Sequence, residues 1–155
     1  MNSTYPLLLF VHLIAVVVWV GGMFFAYVCL RPVAAEQLEP PMRLTLWAGV
    51  FGRFFPWVWA AVCVILASGL TMILFHGMSG APVFMHLMLA TGLVMVAVYI
   101  HLYLDPYARL RQGVAAGDWS RAGAALNQIR KLVGFNLVLG LITIVIAKLG
   151  VYLQF

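Results

Sequence analysis

Apolar residues dominate four stretches of this chain, at 7–30, 54–75, 82–104 and 132–153, and charged residues gather in the short segments between them. Each stretch holds at least 22 residues, against the roughly 20 that a helix needs to cross the hydrocarbon core of a bilayer. The pattern predicts an all-α fold, an integral membrane four-helix bundle that uses almost the whole chain as one domain, residues 1–155. The punctuation between the runs fits this. Pro40-Pro41 breaks the first connection, after which Met42–Gly52 is expected as an interfacial helix leading into the second span. Pro56 falls in the first turn of that span, where a missing N–H does least harm. Asp105-Pro106 ends the third span, and Asp118 or Ser120 is placed to cap a helix that runs through Arg121 to Lys131 into the fourth. Gly69, Gly92, Gly134 and Gly140 suit close helix approach, although no GxxxG motif lies within a span.

Composition sharpens the class. Of the 155 residues, 65% are hydrophobic and 8% charged, where a soluble domain has about 45–50% and 25%; the mean hydropathy is +1.07. The N-terminal Met-Asn-Ser-Thr-Tyr-Pro has no basic region before the first run, and the run is span-length, so it is expected to stay as a span. Cys29 and Cys63 form no CxxC pair and are expected to act as small, buried hydrophobes.

Charge sets an orientation. Eight of the nine basic residues, Arg31, Arg43, Arg53, Arg109, Arg111, Arg121, Arg130 and Lys131, lie in or beside the first and third connections, and the second connection has none. The positive-inside rule then puts those two connections in the cytoplasm and both termini in the periplasm of a bacterial inner membrane. The net charge of +5 is an orientation signal with some attraction to anionic headgroups; the expected partner is the lipid bilayer and not nucleic acid.

With orientation assigned, the unusual side chains collect at one end. His12 lies five residues past Leu7 and His86 four past Pro82, so at about 1.5 Å per residue both imidazoles sit within about 10 Å of the periplasmic edge. Lys148 reaches a comparable level in the fourth span, His76 and Met78 occupy the loop above, and Met85 adjoins His86. Ionisable groups inside a bilayer are costly, and each is read first as a functional site with a partner elsewhere in the bundle. The helical repeat puts His12, Trp19 and Met23 on one stripe, beside the small residues Ala15, Gly22 and Ala26. His101 lies at the other end beside Tyr99, Tyr103 and Tyr107, as an interfacial residue of an aromatic belt.

Two chemistries suit the cluster. Copper(I) favours imidazole and thioether donors, which makes His12, His76, Met78, Met85 and His86 candidate metal ligands. Alternatively, His12 and His86 supply the two axial ligands of a haem b held between helices, with Lys148 pairing a propionate. The residues alone do not separate copper from haem. Hydrolysis is not expected: the four acids, Glu36, Glu39, Asp105 and Asp118, all fall in connections, and there is no phosphate loop or serine elbow. The expectation is a protein that is not an enzyme; an enzyme here would be a haem-dependent membrane oxidoreductase. A membrane interaction protein without cofactor is the third class.

The segment HLIAVVVWVGGMFFAYVCLRP, followed by FGRFFPWVWAAVCVILASGL, resembles the copper-resistance protein D (CopD) membrane family, and IRKLVGFNLVLGLITIVIAKLG fits its general pattern. In that family a histidine in the first span precedes Trp-x-Gly-Gly, and a later Arg-Phe opens a span. The resemblance implies copper transport or homeostasis in the bacterial inner membrane, by a short free-standing form. The partners to expect are periplasmic copper carriers or a redox partner, and a second copy of the chain in a homodimer. The His12, Trp19, Gly22 spacing is also similar to HemJ-type haem-binding membrane proteins. Those carry a lysine near the start of the third span, where this chain reads VFMHLML with His86, and their Leu-Pro-Arg-Leu-Phe pattern is missing. The departures argue against porphyrinogen oxidation, while His86 in the lysine's place keeps haem ligation open.

Overall fold

Lipid offers no partner to a backbone N–H or C=O, so each apolar run closes its hydrogen bonds internally as a helix. The computed structural model describes residues 4–77 and 80–153. Helix α1 covers Thr4–Gln37 and carries two π-helical stretches, Val17–Gly21 and Phe25–Leu30. Helices α2 (Pro40–His76), α3 (Val83–Leu104), α4 (Pro106–Ala116) and α5 (Trp119–Leu153) follow. Four helical segments are long and apolar enough to cross a membrane, so the chain is a multi-pass helical membrane protein.

The segment at 42–52, expected as a separate interfacial helix, is continuous with the second span. The 37 residues of α2 reach about 55 Å, well beyond a core of about 30 Å. Pro56 therefore lies in the interior of α2 rather than in its first turn. It removes the hydrogen bond that the Gly52 carbonyl would accept. The helix persists because Phe51, Phe55 and Val58 are buried on both sides of the proline and hold the two halves against the same core.

The stripe expected on α1 packs inward: His12, Ala15, Trp19 and Met23 are all buried. Helix α1 lies along α2, α3 lies along α5, and α5 also touches the π-helical part of α1. Helices α1 and α3 are diagonal partners. Their backbones make no substantial contact, and they meet across the core where Trp19 packs edge-on to Tyr99 at 6.1 Å between ring centroids. From there an aromatic layer formed by Phe51, Phe55, Trp59, Tyr103 and Tyr107 continues towards the Arg-rich end. The large residues left outside, among them Leu7, Phe10, Trp57, Phe135 and Val138, are the ones a bilayer would cover. Cys29 and Cys63 belong to that outer surface. They are exposed rather than buried, which in lipid still suits a small apolar side chain.

At the Arg-rich end α4 folds back on α5 through a tight turn. Gly117 has φ 68°, a left-handed conformation that a side chain would strain. Asp118 is the cap of the two candidates: its Oδ1 accepts the backbone N–H of Arg121 at 3.0 Å. Asp118→Ala is expected to lower stability by about 1 kcal/mol, measured as the unfolding midpoint of the protein in detergent. An unchanged midpoint would show that the turn holds without the cap.

Candidate functional site

His12 is the one buried histidine among the described residues, with 9% of its surface exposed. Its Nδ1 lies 2.9 Å from Ser68 Oγ on α2. Ser68 Oγ also reaches the carbonyl oxygens of Val64 and Ile65 on its own helix. A carbonyl only accepts and a hydroxyl has one proton, so that proton goes to the carbonyls and Oγ accepts from His12 Nδ1–H. The ring is thereby held as the tautomer whose Nε2 carries the lone pair. Metal-binding histidines are oriented in the same way, by donating the other ring N–H to an oxygen. Gly69 faces the ring as well: a Cβ there would lie 3.4 Å from His12 Cε1, an ordinary van der Waals contact.

The other two histidines at this end have the same tautomer by a different route. His76 Nδ1 donates to the Met72 carbonyl at 2.9 Å, and His86 Nδ1 to the Pro82 carbonyl at 3.2 Å. Each bond is to the turn preceding the histidine on its own helix. His76 is exposed and packs edge-on to Tyr5 at 6.0 Å, which places the end of α2 beside the start of α1. His12 lies seven residues further along α1, about 10 Å deeper. His86 and Met85 are half-buried at the start of α3, and Met72 is buried. Met78 lies outside the described residues. Lys148 is exposed, its ammonium over the Tyr152 ring at 5.0 Å, one turn further along α5.

His12, His76, Met85 and His86 share one end of the bundle. Among the described residues no three His, Cys, Asp or Glu side chains gather closely enough to hold a metal ion. His12 and His86 stand on the diagonal helices α1 and α3, and His12 turns its Nδ1 edge to α2. His101 is exposed at the other end. The sequence reading missed two polar residues inside the spans. Ser68 positions the His12 ring, and Asn136, 2% exposed, donates its Nδ2 to the Met95 carbonyl at 3.0 Å across α5 and α3. Both had a signal, a lone amide or hydroxyl in an apolar run, of the kind that hydrogen-bonds between membrane helices.

The molecule is thus a four-span helical membrane protein with an oriented imidazole buried near one end. The family model described as Copper resistance protein D, CopD, matches residues 48–149. This is more than half of the chain, and the protein belongs to the CopD family. The match begins inside α2 and leaves His12 outside it, whereas the motif resemblance was densest in α1 and the start of the second span. It bears on the copper family and not on the HemJ-type proteins. No curated protein and no solved structure matches the chain.

Proposed function

We propose that this protein handles copper in the membrane and that it takes Cu(I) at the end of the bundle that carries both termini. The observation that carries the reading is the His12–Ser68 pair at 2.9 Å, which leaves Nε2 as the ring's metal donor in an apolar interior. His76, Met78, Met85 and His86 are the further donors in this reading, and membership of the copper resistance family supports copper as the cargo. The donor chemistry fits that cargo. Imidazole and thioether are soft to borderline and neutral, and the four acids lie in connections away from this end. With no ligand charge to offset it, a bound cation keeps its full charge, and the cost of desolvation rises with the square of that charge. A monovalent ion is therefore favoured over Cu(II) or Zn(II). Donors carried by three different helices, His12, His76 and His86, suit an ion that is passed on rather than stored. The charge pattern supports a reading in which this end lies at the periplasmic face of a bacterial inner membrane and meets periplasmic copper carriers.

The test is Cu(I) binding by the purified protein in nanodiscs, in competition with a chromogenic chelator. One Cu(I) per chain is expected, with Zn(II) at least a hundredfold weaker. Absence of Cu(I) binding, or a protein that purifies red with stoichiometric iron and a Soret band, would overturn the reading in favour of the cofactor-free or haem b alternative.

A further inference from the structure

Towards the Arg-rich side of His12, between the π-helical part of α1 and helices α2, α3 and α5, lies a cavity of about 140 Å³. A cavity of about this volume holds one benzene-sized ring. Its walls are nearly all aromatic or aliphatic, with Trp19, Met23, Phe55 and Tyr99 among them. One wall residue is different. Asn136 is 2% exposed, and because its Nδ2 bonds to the Met95 carbonyl, which can only accept, the orientation of the amide is settled. The Oδ1 on the other side of that amide is the one buried side-chain polar atom without a hydrogen-bond partner among the described residues. Buried acceptors in folded proteins are very rarely left unpaired, and one carried by a cavity-wall residue points to a missing donor.

The cavity also has a way in. Phe25, one of its wall residues, is 59% exposed, so the rim reaches the surface that faces lipid. The wall on α1 comes from its two π-helical stretches and the turn between them, and such interruptions of the α-helical repeat are frequent at functional sites. An occupant has to match an apolar, aromatic wall and one acceptor at the same time. A water satisfies the acceptor and wastes the wall; a hydrocarbon does the reverse.

We propose that this cavity binds a membrane-borne hydroxyarene, a ring of the phenol or quinol class, whose O–H donates to Asn136 Oδ1 while the ring packs against Trp19, Phe55 and Tyr99. The site is separate from the copper reading and stands or falls without it. It is tested with p-cresol and p-xylene, which differ by a hydroxyl in place of a methyl, titrated against the protein in nanodiscs with empty nanodiscs to subtract partitioning. Saturable binding of one p-cresol per chain is expected, at least tenfold tighter than p-xylene. Asn136→Leu should remove the difference, and Ala26→Phe, which fills the cavity and keeps the amide, should remove saturable binding of both. Equal affinity for the two ligands, discrimination that survives in Asn136→Leu, or no saturable binding of either (a water alone at Asn136) would overturn the proposal. Should Asn136→Leu fail to fold, the comparison in the native protein and in Ala26→Phe decides it.

Discussion

His12→Leu is expected to weaken Cu(I) binding at least a hundredfold and to leave the unfolding midpoint nearly unchanged. The two expectations come from the same hydrogen bond. Leucine fills a space close to that of imidazole, and Ser68 Oγ keeps its bonds to the Val64 and Ile65 carbonyls, so no buried polar group is orphaned. Replacing a buried polar group by an apolar one of similar shape is close to neutral under that condition. Ser68→Ala acts the other way round. It takes the Ser68 acceptor from the His12 Nδ1–H, at a cost of about 1 kcal/mol because the Ile65 carbonyl stays beside the ring, and loosens the hold on one tautomer. Loss of such an orienting partner lowers metal affinity by about 10–100-fold. The pair is read by chelator competition and by thermal unfolding of the same samples. Full Cu(I) affinity in His12→Leu would remove His12 from the site. A Ser68→Ala protein with native stability and affinity would make their contact incidental.

What could be read from the sequence follows from the solvent. In lipid the span itself is the signal, so four spans were legible from run length alone, while the helix ends were not, as α2 starts at Pro40 well before its apolar run. The helix that starts after Asp118 was legible from its cap. Which face of a helix turns inward is harder to read, because lipid is as apolar as a leucine core and leaves little amphipathic pattern. Phe10 and Phe55 look alike in the sequence; the first is 61% exposed and the second 4%. The exceptions are polar and small residues. His12 betrayed the inner face of α1, and Trp19 and Met23 followed from its helical phase. Its partner Ser68 did not, since a hydroxyl in a helix also bonds to its own preceding turn, as Thr71 does to the Ala67 carbonyl at 2.7 Å. The π-helical stretches of α1 had no distinctive residues to announce them. Gly134 and Gly140 were anticipated as close approaches and meet Tyr27, Val20 and Met95. Gly92, chosen on the same grounds, meets nothing, and the closest approach to the backbone of another helix, at Gly113, went unnoticed because it lies outside the spans.

That contact carries a large expected effect on stability. A Cβ on Gly113 would lie 2.9 Å from the Ala122 backbone nitrogen and 3.0 Å from its Cβ, where α4 crosses α5 just past the turn. The obstacle is main chain, which cannot rotate away as a side chain does. Around it α4 and α5 are tied by Arg121 to Gln112 at 2.9 Å and by Arg109 to Gln128, so separating the helices also breaks polar contacts. Overpacking of this kind costs about 1–3 kcal/mol, occasionally more, while alanine in a helix interior recovers up to about 1 kcal/mol over glycine. Gly113→Ala is therefore expected to lose about 1–2 kcal/mol in net terms, and Gly113→Val, β-branched and bulkier, about 3 kcal/mol. Gly92→Ala is the matched control: nothing lies within 4 Å of its Cβ, and the same propensity gain should leave it about 0.5–1 kcal/mol more stable than the parent. Unfolding in detergent measures all three. If Gly113→Ala and Gly92→Ala moved the midpoint in the same direction, the close crossing of α4 on α5 would have to be abandoned. The placement of the Arg-rich end beneath the aromatic layer would go with it.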